Sequence, residues 1–477
     1  MYRFYINKIE NDYHYGELAR VFLPDDEFEV IPLDVSSRNL ALRPGSFLVN
    51  AKGSADRDEI KRELFGLLAD LCGRSSEWGT LTGVRPLKLA YEMLAEAESD
   101  SDSCTDKTGG SDPSNPINPI KGMCALLAER YLISPSKIAL LREIAEYQIS
   151  CGMGDPSSKA GVYIGIPFCP TRCEYCAFAS NVAGRDEIAE YLTNLLTEIR
   201  YMGRLVREHG TVIESIYIGG GTPTTLEADQ LKQLIETAAD ELGADPRSIE
   251  FTVEAGRPDT ITADKLAVMR ELGVSRISIN PQSMKDETLR AIGRDHTADD
   301  IRSGYRLAAD YGFDVINADL IAGLPGEDLE DFRASLEEII SLGANNITVH
   351  TLSVKKGSRL RENDPEYYRR NTETVQSMVD YARERLSKEG FVPYYIYRQK
   401  HQMGALENVG YCRPGKHSIY NIRIMEEKQT IIGLGAGAIG KVYFPDEDRL
   451  ERVANVSNYR VYSDRFDEML SRKDLYY

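Results

Sequence analysis

The sequence predicts an α/β protein built on a parallel sheet, and three observations support this. Six short β-branched and aromatic runs recur from residue 162 onward. Stretches of helical periodicity, such as IAEYLTNLLTEIRYMGRLV and DQLKQLIETAADEL, separate them. Polar and metal-binding residue types come directly after the runs. Alternating strands and helices imply βαβ units. Right-handed crossovers then close the strands toward a barrel or a doubly wound sheet. In both arrangements function gathers at the C-terminal ends of the strands.

In chain order, residues 1–150 read as an α+β N-terminal domain. VFLPDDEFEVIPLD reads as strands with a turn. DEIKRELFGLLADLCG has apolar residues at helical spacing and closes on a glycine, a C-cap residue. TGVRPLKLAYEMLAEA predicts a second helix. Residues 97–121 are rich in Ser, Asp, Gly, Pro and Asn and predict a disordered insertion. Helical text resumes at 122, and GMGDPSSKAG, at 152–161, reads as a linker. The core domain occupies 161–385, with runs at 162–166, 215–220, 249–255, 276–280, 314–323 and 346–352. Residues 386–477 form a smaller C-terminal region, rich in Tyr and Gly, with an acidic helical tail.

The bulk numbers narrow the function. The chain has 477 residues, 42% hydrophobic and 28% charged, which is ordinary for a globular protein with a sizeable core. A net charge of −18 argues against binding nucleic acid or anionic lipid, because both need a basic face. No run of about 18 apolar residues predicts a membrane span. MYRFYINKIENDYHYGEL carries no signal-peptide pattern, so a cytoplasmic address is expected. Of the 8 cysteines, five are scattered singly and three cluster, which is not the spacing of a disulfide framework.

The cluster is Cys169, Cys173 and Cys176, a C-x3-C-x2-C loop directly after the first run. Three thiolates on one loop hold three corners of a soft metal centre. A closed zinc site needs a fourth ligand, and no His lies nearby. A 4Fe–4S cluster on three cysteines leaves one iron open for an outside ligand. YIGGGTPTTL lies at the second run, where glycines let backbone approach a bound ligand. Glu254, Gln282 and Asp319 end the next three runs as candidate polar contacts. Arg294 and His296 sit in IGRDHT, the His reading as structural. GLGAGAIGK, at 433–441, lacks P-loop spacing.

The cysteine loop with GGGTPT resembles the radical SAM superfamily. That resemblance implies a 4Fe–4S cluster, S-adenosylmethionine on its open iron, hydrogen abstraction by a 5′-deoxyadenosyl radical, and a partial parallel (β/α)6 barrel. YIGIPFC, ISINPQS, IGRDHT and NADLIAGLPGE further resemble the oxygen-independent coproporphyrinogen III oxidase-like family. TGVRPLKLAYEML, YYIYRQKHQMGALENVGY and YNIRIMEEKQTIIGLGAGAIGK look like its HemZ branch. The resemblance implies that Cys169, Cys173 and Cys176 ligate the cluster. It implies that Tyr163, Gly220, Glu254, Arg294 and Asp319 contact the S-adenosylmethionine on the cluster. Tyr175, Gly221, Thr222 and Gln282 match positions that hold a second S-adenosylmethionine.

The implied reaction is oxidative decarboxylation of coproporphyrinogen III propionates to vinyl groups, giving protoporphyrinogen IX. The alternative is a haem-binding, chaperone-like member of the family without oxidase activity. The implied partners are a porphyrinogen or haem-like tetrapyrrole and an unidentified electron donor. Arg398, Lys400, Arg413 and Lys416 are candidates, by residue type, for a basic pocket that receives propionates. The oxidase has a fourth cysteine where this chain has Phe178, and a His where it has Gly165. The haem-chaperone branch shares the Phe.

Overall fold

A computed structural model describes residues 1–7, 9, 12–33, 43–104, 119–178 and 180–475. The chain divides into two units: residues 1–146 with 397–399, and residues 147–396 with 400–477.

The first unit holds three parallel strands, β1 (Tyr2–Asn7), β2 (Phe28–Leu33) and β3 (Ser46–Val49), in the order β2-β1-β3. Helix Tyr13–Phe22 connects β1 to β2 and buries Tyr15, Leu18, Ala19 and Phe22. Val21 and Phe22, expected to open a strand, instead end this helix. Pro24 stops it, and Phe22 packs edge-on against Phe65, ring centroids 5.5 Å apart. Helix Arg57–Cys72 is capped by the Asp56 side chain and ends on left-handed Gly73, as its sequence predicts.

Helix Pro86–Cys104 runs into the stretch expected to be disordered. Its first Gly pair, Gly109-Gly110, comes only later, so nothing breaks the helix before Cys104. Residues 105–118 of the expected insertion lie outside the described residues. Helix Pro119–Tyr131 comes next, with Arg130 paired to Glu96 at 2.7 Å.

The second unit is built on one eleven-stranded sheet. The six expected runs become β4 (Ala160–Ile166), β5 (Ile213–Gly220), β6 (Glu250–Glu254), β7 (Arg276–Ser278), β8 (Val315–Ala322) and β9 (Asn346–Thr351). They pair in sequence order, all parallel. Both faces of such a sheet are covered, and β4 and β5 accordingly read as near-continuous buried runs. The crossover helices each bury one apolar stripe. In Arg185–Glu208 it comprises Leu192, Leu195, Leu196 and Ile199, among others.

The C-terminal region extends this sheet at both edges. β10 (Val392–Tyr397) and β11 (Asn408–Cys412) continue beyond β9, with β11 antiparallel to it. On the other side β12 (Thr430–Leu434) pairs parallel with β4, and β13 (Ile439–Phe444) and β14 (Arg449–Ala454) complete an antiparallel meander. The sheet thus has seven consecutive parallel strands, β12 through β9, one more than the six expected. Among the described residues no helix is long and apolar enough to cross a membrane.

Candidate active site

The cysteine loop leaves β4 at Pro167 and is braced from several sides. Cys169 N donates to Asn181 O at 3.0 Å, and Asn181 returns its own amide to Pro167 O at 2.9 Å. Glu174 N bonds Ile292 O at 3.0 Å, and Thr171 Oγ1 bonds Gly293 O at 3.0 Å. Arg257 in turn holds Thr171 at 3.0 Å. Burial pushes the Cys169 thiol up to about 11 and raises Cys176 as well. Thiolates at these positions therefore need a cationic centre to sustain them.

The glycine segment meets this loop directly. Gly221 N donates to Ile166 O at 2.8 Å, and Thr222 N to Phe168 O at 2.7 Å. A Cβ at Gly221 would strike the Phe168 carbonyl oxygen and lie 3.0 Å from Cys169 Sγ. Only glycine lets the second strand's loop lie this close to the thiols. Thr222, fully buried, donates its hydroxyl to Cys169 Sγ at 3.6 Å.

Glu254, at the end of β6, accepts the Tyr217 hydroxyl and, at 3.2 Å, the Gly220 amide. Burial raises its carboxyl to about 7 against the pull of those hydrogen bonds, and nearby Asp319 adds to the rise. Tyr217 belongs to a ladder of rings with Tyr163, at 6.2 Å, and Tyr420, at 4.6 Å. Tyr163 and Tyr217 are register partners on adjacent strands, so they share one face of the sheet.

Gln282, Arg294 and Asp319 converge beside this group. Gln282 is 7% exposed and holds a left-handed backbone, φ 67°, which a non-glycine residue adopts at a cost. Its amide and carbonyl bond Asp319 O at 2.9 Å and Ile321 N at 3.0 Å, while its Oε1 is buried with no hydrogen-bond partner. Arg294 donates to Asn280 O at 2.6 Å and to the Tyr175 hydroxyl at 3.4 Å, and reaches the Cys173 sulfur. Its Nε is also buried without a partner. Burial raises Asp319, but His350, 3.6 Å away, and Asn317, at 2.9 Å, outweigh that and leave it below the usual carboxylate range.

The structure therefore gathers Tyr163, Cys169, Cys173, Tyr175, Cys176, Gly220, Gly221, Thr222, Glu254, Gln282, Arg294 and Asp319 at the C-terminal ends of β4 to β8. His296, 3% exposed, lies 3.6 Å from Asp259. Sequence reasoning missed Tyr217, Tyr420 and His350. The alternation in NITVHT could have marked His350, since it lies near the end of the sixth run.

Three of the four cations expected to line a basic pocket, Arg398, Arg413 and Lys416, have other neighbours. Arg398 is tied within the first unit, donating to Leu81 O at 2.6 Å over the Trp78 ring. Arg413 stacks on Phe391, 4.3 Å from the ring centroid, and its amide bonds Asn345 O ahead of β9. Lys416 lines a cavity at the opposite, N-terminal ends of the strands. Residue type alone could not say at which end of the sheet these side chains emerge.

The residues present suit the implied cofactors. Three cysteine sulfurs share one loop, the donor type that holds iron–sulfur clusters. The unpartnered Gln282 Oε1 and Arg294 Nε are polar atoms placed for a ligand.

The Radical SAM superfamily model matches residues 163–339. The oxygen-independent coproporphyrinogen-III oxidase-like protein HemZ of Bacillus subtilis (strain 168) is 39% identical over 426 residues, 88% of this chain and 81% of that protein. The heme chaperone HemW of Escherichia coli (strain K12) is 29% identical over 60% of this chain and 71% of its own. The solved structure of coproporphyrinogen III oxidase from Escherichia coli superposes with a TM-score of 0.51 at 21% identity, covering 68% of this chain and 73% of that one. The chain's cofactors are a 4Fe–4S cluster and S-adenosylmethionine. The chain belongs to the oxygen-independent coproporphyrinogen-III oxidase-like family of the radical SAM superfamily.

Proposed function

We propose that the chain is a radical SAM coproporphyrinogen III dehydrogenase of haem biosynthesis, which turns two propionate side chains into vinyl groups. The observation that carries this reading is the convergence of Glu254, Gln282, Arg294 and Asp319 on the cysteine loop, with Gln282 Oε1 and Arg294 Nε awaiting partners. The names of the relatives supply the substrate class.

In this reading Cys169, Cys173 and Cys176 ligate the cluster. Tyr163, Gly220, Glu254, Arg294 and Asp319 hold S-adenosylmethionine beside it, and Tyr175, Gly221, Thr222 and Gln282 hold a second molecule. When bound, the cofactors supply a carbon-centred radical that abstracts hydrogen. The substrate propionate loses that hydrogen from its β-carbon. The carboxylate then leaves as CO2, and the remaining electron passes to a one-electron acceptor, leaving the alkene. The chain's own residues orient the reactants and exclude water, because the cofactor carries the hard chemistry. An external donor supplies the electron that starts each turnover.

Phe178 favours a second reading, a haem-binding protein without oxidase activity. It stands where the oxidase has its fourth cysteine, and it is 64% exposed. A relative named heme chaperone supports it. The chain is purified anaerobically, its cluster reconstituted, and S-adenosylmethionine, reductant and coproporphyrinogen III added. Protoporphyrinogen formation supports the dehydrogenase. Stable haem binding with no decarboxylation overturns it in favour of the carrier.

A further inference from the structure

The segment after β9 brings a lysine to the cysteine loop, and no role above uses it. Lys355 Nζ sits 5.0 Å from the Phe178 ring centroid. The Phe178 backbone amide in turn donates to the Cys176 sulfur. Among the described residues no carboxylate pairs with Lys355, although its side chain is partly buried.

The position is rigid. Ser358 N and Oγ both bond the Lys355 carbonyl, at 3.1 and 2.8 Å, closing a turn through Gly357. That turn is fastened to the cysteine loop at three points. Arg172 donates to Gly357 O at 2.7 Å, Leu360 N to Glu174 O at 2.9 Å, and Arg359 to the Glu174 carboxylate at 3.0 Å. The backbone that carries the ammonium is thereby fixed beside Phe178, two positions from Cys176.

We propose that Lys355 is a positioning residue for the cluster, holding a positive charge beside Cys176 that raises the cluster's reduction potential. Net charge and hydrogen bonds around the sulfurs set such potentials. Reduction adds one negative charge to the cluster, and a nearby cation stabilises the reduced form more than the oxidised one. Burial lowers the Lys355 ammonium from its usual range, and the nearby Cys176 sulfur offsets only part of that. Phe178 makes the arrangement possible by presenting an aromatic face, which attracts a cation without neutralising it.

The inference rests on the three cysteines holding the cluster, and the test separates the two. Full-length wild type, Lys355→Met and Lys355→Arg are reconstituted anaerobically, assayed for iron, and titrated while the reduced cluster is followed by electron paramagnetic resonance. The cluster assignment stands or falls on iron in the wild type. The charge assignment predicts a more negative midpoint in Lys355→Met, by about 59 mV for a tenfold change in a one-electron equilibrium. It predicts a near-wild-type midpoint in Lys355→Arg. Loss of iron from the Met variant alone also supports the assignment. Equal midpoints in all three proteins, or loss of iron from both variants, would overturn it.

Discussion

The two ends of the parallel sheet carry similar residue types but use them differently. At the N-terminal ends a cavity of about 620 Å³ is lined by Lys159, Glu214, Glu250, Arg276, Lys416 and His417, among others. Its carboxylates are matched. Glu250 accepts Ser418 Oγ, Ile419 N and Tyr420 N at 2.7 to 3.0 Å, with Arg276 at 3.7 Å. Glu214 pairs with Arg423 at 2.9 Å and accepts Gln429 at 2.8 Å. At the C-terminal ends Gln282 Oε1 and Arg294 Nε lack partners, Gln282 holds a strained backbone, and Glu254 is raised to about 7. Charge spent inside the fold holds the strands together. Unsatisfied polarity also occurs at the first end, at Ser215 Oγ and Gln429 Oε1; it is its coincidence with a strained backbone and a raised carboxyl that sets the C-terminal end apart.

The contrast breaks most completely at the cysteines. Cys173→Ala should abolish the visible iron–sulfur absorbance and the bound iron, because three ligands are already the minimum. Iron retained at the wild-type level would remove the cysteine assignment.

The opposite end should answer with stability instead. Arg423 is 2% exposed, and Arg423→Ala leaves buried Glu214 only the more distant and more exposed Lys159, at 3.4 Å. Breaking such a pair costs about 3–5 kcal/mol. Denaturant unfolding should show that loss, while the variant that remains folded still assembles its cluster. A loss under about 1 kcal/mol would mean the pair is not desolvated as the structure has it.

Glu254 sharpens the comparison through pH. Its carboxyl titrates near 7 because burial and Asp319 raise it, while the Tyr217 hydroxyl and Gly220 amide pull downward. An ionised carboxylate attracts a cationic ligand. Affinity for S-adenosylmethionine should therefore rise with pH up to about 7 and then level off, falling about tenfold per unit below it. Glu254→Gln should bind more weakly with a flat profile in calorimetric titration. A wild-type profile flat from pH 5.5 to 8, as a rough window set by that shift, would contradict this role.

The smallest effect falls on Gln282. Gln282→Gly relieves the left-handed backbone while removing the side chain, so stability should change by under about 1 kcal/mol. Affinity for S-adenosylmethionine should nevertheless weaken. Unchanged affinity would mean the unpartnered Oε1 meets no ligand.

Much of this geometry was legible in sequence because parallel strands are buried on both faces. Runs such as SIYIGG and DVINADLIAG therefore stand out, and the fold gathers the residues just beyond them at one end of the sheet. The seventh parallel strand did not stand out. TIIGL runs into GLGAGAIGK, which reads as a small-residue turn. Its Gly433 is needed because a Cβ there would meet the Gly440 backbone of the neighbouring β13. Pairing of β12 with β4 joins residues about 270 apart in sequence, which no local pattern encodes. Long separation in sequence likewise hid Tyr420 from Tyr217, and Lys355 from Phe178.

The central claim is that the cysteine loop carries a cluster with one open iron, completed by S-adenosylmethionine at the C-terminal mouth. Electron paramagnetic resonance of the reduced, reconstituted chain, before and after adding S-adenosylmethionine, tests it most directly. The account predicts a 4Fe–4S signal that changes on addition and stays unchanged with S-adenosylmethionine in Glu254→Gln at low ligand concentration. A wild-type signal indifferent to S-adenosylmethionine, or a chain that takes up zinc and no iron, would contradict it.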